Sequence, residues 1–288
     1  MERVLLYIFI AMTLITQASC TTESELISSN DPLAEYLAFG NIHNSMLEKT
    51  QEAIEARSTK GEEFNLEDWK ELHELQKEQV QYMDISDSQK VLFTNALDSH
   101  FEYYNIDNIW EKSYSSSSDN NNKCEIISLI NSLHASSIID SFERDLLKKL
   151  SEYIIRQKNE PQFAILLAIE GLAAQWRNHY GIQLITKKGK FSAYIIGISL
   201  SSAQWWEDNP ESAAPQTRVA PWVYIDALGA IRSACYSAIQ QQISSQMSGN
   251  VDWEQIAYSA LAGAVIYSTT GLKQVAAIAA TILSEIFG

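Results

Sequence analysis

Two acidic residues stand inside apolar stretches of the chain, where a carboxylate is costly to bury. Glu170 lies within residues 163–176, and Asp226 lies within the small-residue-rich stretch 222–230. A carboxylate in such a place must be paired or hydrogen-bonded, or it must take up a proton. Both residues are therefore candidate catalytic or ligand-binding carboxylates, and as a pair they could serve a hydrolase. A glycosidic reaction would need both in one solvent-accessible pocket, about 5 to 10 Å apart.

Each carboxylate also has a structural interpretation, which we favour. Arg177 follows Glu170 by seven residues, two helical turns along the same face, so the two side chains could form a buried ion pair. Asp226 comes early in its predicted helix, where the helix dipole stabilises negative charge. It could bind a cation there or satisfy amide groups of a neighbouring helix.

Two further pairs of adjacent residues are candidate ligand contacts. His43 and Asn44 lie together in a predicted amphipathic helix, and Trp205 and Trp206 end another helix just before two acidic residues. A tryptophan pair beside acids can bind a sugar or form an interface. We favour the structural interpretation of both pairs: a buried, hydrogen-bonded His–Asn pair and a tryptophan pair that closes the end of the core.

No established catalytic motif is present. The sequence lacks a GxSxG elbow, a Walker A loop, a GxGxxG loop and an HExxH pair; His73-Glu74 has no second histidine at the required spacing. We therefore expect no metal and no cofactor. The formal net charge of −15 also argues against binding to nucleic acid, which requires clustered basic residues.

Residues 1–20 resemble a targeting segment rather than part of the fold. The apolar run 4–15 has the length of a signal-peptide core, and the small residues Ala18 and Ser19 precede Cys20 as in a bacterial lipobox. We expect cleavage before Cys20, lipidation of that residue and a location in the cell envelope, at the outer membrane or cell surface. Secretion without lipid is one alternative, since Gln17 fits the motif poorly, and an uncleaved anchor is the other.

Two cysteines, Cys124 and Cys235, remain after Cys20. In an oxidising compartment they could form a disulfide that ties the middle of the chain to its C-terminal part. Two cysteines in a chain of this length do not make a disulfide framework. We therefore favour two buried thiols that pack as small apolar groups.

The periodicity of apolar residues predicts an all-α fold, a multi-helix bundle with a C-terminal core rich in Ala, Gly and Ser. We expect residues 21–30 to form a tether and residues 31–114 an acidic helical layer. We expect residues 115–123, rich in Ser and Asn, to form an exposed loop, and residues 124–288 to form the helical core, within one domain with residues 31–114. Residues 21–120 contain 21 acidic and 7 basic side chains, whereas residues 121–288 contain 14 and 13.

Local signals predict several helix boundaries. Asp31 is the expected N-cap of the first helix, and Ser86 with Gln89 and Asp252 with Gln255 fit capping boxes. The helix after Pro161 is apolar nearly all round, which predicts a central, buried position. Residues 191–206 could form a strand or a helix by composition; their length and small residues favour a helix.

Three short motifs together resemble a set of lipoproteins of Bacteroidota. They are Gly40-x-x-His43-Asn44, Ser199-x-x-x-Ala203-x-x-Trp206 and Asp226-x-x-Gly229-Ala230. The resemblance implies a surface lipoprotein with an Asp-x-x-Gly-Ala helix in a helical core, and it implies no activity.

The sequence as a whole predicts a lipid-anchored protein with a non-enzymatic interaction or structural role and a protein partner of unknown kind. A carboxylate-dependent hydrolase is one alternative. The other is a membrane-active effector, because residues 252–287 are similar in texture to bacteriocin segments. The two apolar runs within it are each shorter than the roughly 20 residues that span a bilayer.

Overall fold

The computed structural model describes residues 31–58, 66–103, 118–157, 162–181, 188–209, 220–244 and 251–269. Within these ranges the chain forms nine helices and no β-strand, which confirms the all-α prediction. The first eight are α1 Ala34–Ser58, α2 Leu66–Gln81, α3 Asp87–Tyr103, α4 Ser118–Ala135, α5 Ser141–Gln157, α6 Gln162–Tyr180, α7 Lys190–Asp208 and α8 Ala220–Ser244. The ninth, α9, is helical over residues 253–269.

Several predictions concern segments outside these ranges. They are the signal peptide with Cys20, the tether 21–30 and the part of the stretch 252–287 that follows residue 269. Among the described helices, none combines the length and the hydropathy needed to cross a membrane.

Local capping explains where several helices begin. The Leu33 N–H donates to Asp31 Oδ1 at 3.0 Å, as expected of an N-cap residue at the start of α1. Before α3, the Gln89 N–H donates to Ser86 Oγ at 3.3 Å, and the Ser86 N–H donates to Gln89 Oε1 at 2.9 Å. This reciprocal pair confirms the predicted capping box.

Of the capping box predicted at the start of α9, only one of the two hydrogen bonds is present. The Gln255 N–H donates to Asp252 Oδ1 at 3.1 Å, so Asp252 is the N-cap. The Asp252 N–H does not bond to Gln255; it donates to Gln241 Oε1 at 2.7 Å. Gln241 belongs to α8, so a neighbouring helix completes this cap and fixes the α8–α9 pair.

The loop predicted over residues 115–123 is wrong for its described part. Residues 118–123 belong to α4, which begins at Ser118, inside the predicted loop. The polar residue types that suggested a loop, Ser118 followed by Asp119, are also those favoured at helix N-termini. The apolar periodicity of residues 126–133 then continues the same helix.

The centre of the fold is α7. It packs most extensively on α1, and it also contacts α5, α6 and α8. All side chains of residues 191–199 and 201–203 are buried. A helix covered on all sides must be apolar or small all round, and the sequence of α7 meets that condition.

The central position predicted for the helix after Pro161 is wrong. This helix, α6, buries one face through Ile165, Ile169, Leu172 and Trp176. Its opposite face is exposed, and Leu167 retains 60% of its accessible surface. Composition alone did not distinguish the surface helix α6 from the central helix α7, because the exposed face of α6 carries Leu, Ala and Gly besides polar residues.

Glycines bring two pairs of helices unusually close. A Cβ atom on Gly40 of α1 would lie 2.7 Å from the Gly197 carbonyl oxygen of α7. One on Gly229 of α8 would lie 2.5 Å from the Gly263 carbonyl oxygen of α9. No side chain fits at either crossing. These approaches place α1 against α7 and α9 against α8 near Asp226.

Candidate functional site

Asp226 is the centre of a buried polar junction. Its Oδ2 accepts hydrogen bonds from Ser202 Oγ at 2.5 Å and from Trp206 Nε1 at 3.0 Å, and its Oδ1 accepts one from the Ser268 hydroxyl. His43 Nε2 lies 3.8 Å from Oδ2. We call these five residues the Asp226 cluster. Each has a relative exposure of 0%.

The cluster joins four helices, and the local sequence explains how. Ser202 and Trp206 are four residues apart in α7, so both face α8 from the same side of the helix. His43 comes from α1, which the Gly40 crossing brings against α7. Ser268 comes from α9, which the Gly229–Gly263 crossing brings against α8.

Hydrogen bonding fixes one ring nitrogen of His43. Asn44 Nδ2 donates to the Ser201 carbonyl oxygen at 2.9 Å, which orients the Asn44 amide so that Oδ1 faces His43 Nδ1 at 3.0 Å. An amide oxygen can only accept, so Nδ1 must carry a hydrogen. The predicted His–Asn pair is therefore present, and Asn44 sets the tautomer of the imidazole.

The Ser268 hydroxyl then connects His43 to Asp226. It lies 3.0 Å from His43 Nε2, contacts Asp226 Oδ1 and lies 2.7 Å from the Ala264 carbonyl oxygen of its own helix. Its one hydrogen is therefore shared among three neighbouring groups. The Ser268 hydroxyl thus links His43 of α1 to Asp226 of α8.

A serine, a histidine and a third residue that orients the histidine are also the components of a nucleophilic catalytic site. A nucleophile must reach its substrate, and the hydroxyls of Ser202 and Ser268 belong to residues with no exposed surface. The geometry therefore supports a structural role for this cluster in the fold described.

Glu170 does not join Asp226. Glu170 is exposed on the outer face of α6, so the buried environment expected for it is wrong. Arg177 does not pair with it either. The Arg177 guanidinium forms two bonds to Asp31, from Nε to Oδ1 at 3.0 Å and from Nη2 to Oδ2 at 2.8 Å. Since Asp226 is closed to solvent, the two carboxylates do not meet the requirement for a hydrolytic pair.

The Asp31–Arg177 pair connects the start of α1 to α6. The Arg177 guanidinium, through its hydrogen bonds, holds the pKa of Asp31 below the ordinary value, although partial burial opposes this effect. Two parallel bonds between a guanidinium and a carboxylate are a strong and geometrically specific contact.

The two tryptophans at the end of α7 divide between core and surface. Trp206 is fully buried and Trp205 is partly exposed, with the two rings in an edge-to-face contact at 4.7 Å.

Cys124 is exposed and Cys235 is buried, and both thiols are free. A disulfide between them is therefore wrong, and so is the burial expected for Cys124. In the described part of the chain, no group of three metal-binding side chains is close enough to hold an ion.

A second buried carboxylate, Glu143 of α5, was missed by the sequence analysis. Its Oε1 accepts hydrogen bonds from the Ser192 N–H at 3.1 Å and the Ser192 hydroxyl at 3.0 Å, in the first turn of α7. Burial raises the pKa of Glu143, and hydrogen bonds from Ser192 and Gly189 offset part of this rise. Its position three residues after Asp140, as in a capping box, was the available signal.

Comparison with protein-family models, with curated proteins and with solved structures gave no match. The internal geometry nevertheless links the three motifs noted in the sequence. His43 and Asn44 from the first motif, Trp206 from the second and Asp226 from the third all meet at the Asp226 cluster.

Proposed function

We propose that this protein is a non-enzymatic interaction or structural module of the cell envelope, held at the membrane by a lipid on Cys20. The observation that carries the non-enzymatic part is the closure of the Asp226 cluster. The residues best suited to chemistry, His43, Asp226 and Ser268, have no exposed surface and bond to one another. Such a cluster stabilises a helical body rather than acting on a substrate.

The distribution of charge supports an anchor of this kind. Residues 21–120 carry a large excess of acidic side chains, and the outer face of α2 exposes Glu67, Glu71, Glu74 and Glu78. This surface is repelled by anionic lipid headgroups, so electrostatic adsorption through it does not hold the protein at a membrane. A covalent lipid supplies apolar attachment that does not depend on charge.

Metabolic labelling with an alkyne-bearing fatty acid tests the anchor. We expect the wild-type protein to incorporate the label and to sediment with membranes, and the Cys20→Ser variant to lose both properties. The matched control is Cys124→Ser, which removes an exposed free thiol and should leave labelling unchanged. Equal labelling of wild type and Cys20→Ser, or an unlabelled wild type in the culture medium, would contradict the proposal.

A further inference from the structure

A cavity of about 240 Å³ lies between α3, α8 and α9, away from the Asp226 cluster. Its mouth is formed by exposed side chains, among them Asn95, Ser99 and Gln255. Deeper residues include Ser237 and Ser259, which are each only 7% exposed. The cavity is therefore open to solvent at one end and enclosed at the other. Its volume is below that of pockets for drug-sized ligands.

Among the described residues, the lining is polar and carries no formal charge. It contains four serines, two glutamines, one asparagine, one tyrosine and one histidine, with Leu92 and Ala96 as the apolar members, and none of these residues is Asp, Glu, Lys or Arg. The histidine, His100, is neutral near pH 7. Burial lowers its pKa to about 4, although a hydrogen bond with the Ser259 backbone opposes that shift. None of the described lining residues offers a counter-charge to a charged ligand, whose desolvation would therefore be costly.

Tyr236 contributes a fixed aromatic wall. Its hydroxyl donates to Glu125 Oε1 at 3.0 Å, and Arg232 pairs with the same carboxylate. The tyrosine hydroxyl is thus engaged by α4, outside the cavity, so the ring is its contribution to the lining. With Leu92 and Ala96 it gives the cavity an apolar strip beside a set of hydroxyl and amide groups.

Ser233 lines the cavity but offers no contact to a ligand. Its Oγ is fully buried, has no hydrogen-bond partner among the described residues and packs against Gly263 of α9. The other serine and amide groups of the lining offer donors and acceptors in comparable number, which suits a ligand that carries several hydroxyl groups.

We propose that this cavity binds one uncharged sugar unit, either a free neutral monosaccharide or the neutral end of a glycan. Hydroxyl and amide side chains bond to the sugar hydroxyls, and the apolar strip at Tyr236 contacts the C–H face of the ring. The site is independent of the membrane anchor and adds a ligand to the non-enzymatic role proposed above.

Isothermal titration calorimetry with D-glucose, D-galactose, D-mannose and N-acetyl-D-glucosamine tests the site. We expect at least one of these neutral sugars to bind saturably, with a dissociation constant of about 1 mM, as a ligand of this size allows. D-Glucose 6-phosphate and D-glucuronate are the charged probes and should bind at least about tenfold more weakly than the best neutral sugar. No saturable binding of any neutral sugar, or tighter binding of the charged probes, would overturn the proposal.

A pair of variants locates the binding. Asn95→Trp places a large side chain at the mouth of the cavity and should weaken the binding of the best sugar about tenfold or more. Asn178→Trp makes the same change at an exposed site on α6 and should have no effect. Ser99→Trp, also at the mouth, replaces Asn95→Trp if that variant does not fold. Wild-type affinity in a folded mouth variant would contradict this location.

Discussion

Asp226 is tolerated at zero exposure because three hydrogen-bond donors and an imidazole surround it. Ser202 and Trp206 stabilise Oδ2, Ser268 stabilises Oδ1, and the His43 imidazole lies 3.8 Å from Oδ2. A buried charge without such partners would be costly. The contribution of this residue to the protein is therefore specificity of helix packing, because the bonds form only when four helices are correctly placed.

Two buried serines of α7 test the value of one bond to Asp226. Ser202→Ala removes a donor to the carboxylate, and we expect the free energy of unfolding to fall by about 1 to 3 kcal/mol. Ser199→Ala is the matched control, since Ser199 is equally buried and its hydroxyl has no hydrogen-bond partner among the described residues. It should be neutral or slightly stabilising. Urea unfolding measures both; equal losses would show that the Asp226 bond adds nothing.

The Asp31–Arg177 pair gives a pH-dependent contribution to stability. The folded pKa of Asp31 lies below the ordinary value of 3.8, so its contribution is present above about pH 4 and is lost as the pH falls through the folded pKa. At neutral pH, Asp31→Asn should cost about 1 kcal/mol, a modest value because Arg177 is 35% exposed and solvent screens the pair.

Thermal unfolding at pH 7 and pH 3 separates the contribution of the Asp31–Arg177 ion pair from a general loss of packing. The difference in stability between wild type and Asp31→Asn should shrink at the lower pH. The matched control is Asp145→Asn, where the partner Arg144 is adjacent in sequence and the aspartate is 57% exposed. We expect less than about 0.5 kcal/mol there. A pH-independent difference for Asp31→Asn would exclude the ion pair as its cause.

At the scale of helices, the close crossing of α8 and α9 depends on glycine. Gly229→Ala would place a methyl group 2.5 Å from the Gly263 carbonyl oxygen, where backbone has to move. We expect a loss of about 1 to 3 kcal/mol in unfolding free energy. Gly171→Ala is the matched control, because no atom lies within 4 Å of its added Cβ in α6. It should gain about 0.5 to 1 kcal/mol from helix propensity. A stabilising Gly229→Ala would contradict the close crossing.

Features with a local cause were predictable from the sequence. The N-cap at Asp31 and the capping box at Ser86 depend on residues within three positions of one another, and both are confirmed. The helical state of residues 191–206 followed from length and residue size, and α7 confirms it. The His43–Asn44 pair was predicted as a buried, bonded pair, although its partners were not.

Features that depend on tertiary partners were not predictable. Glu170 and Asp226 had similar apolar surroundings in sequence, yet α6 lies at the surface and α8 in the interior. Nothing in the sequence marked Ser202 or Ser268 as a partner of Asp226, since serines are common in helices. Ser202 lies 24 positions from Asp226 and Ser268 lies 42 positions from it. Arg177 was assigned to a neighbour in its own helix, whereas its partner Asp31 lies 146 residues away.

At the scale of the whole molecule, the Asp226 cluster joins distant parts of the chain. His43 and Ser268 bond across 225 positions, so α1 and α9 are fixed to each other only in the complete fold. Residues 256–269 of α9 are all buried. An interaction of this helix with a membrane would first require its removal from the body. Loss of the cluster should therefore affect the four helices together rather than one at a time.

Hydrogen–deuterium exchange of the Asp226→Asn variant tests this claim most directly. The substitution keeps the shape of the side chain but removes its charge and places an amide group among hydrogen-bond donors, at a cost of about 3 kcal/mol or more. We predict faster exchange in α1, α7, α8 and α9 together, because they share one cooperative opening. Glu170→Gln, at the exposed acid of α6, should exchange as the wild type does. Faster exchange confined to α8, or none in Asp226→Asn, would contradict the cluster as the junction of the fold.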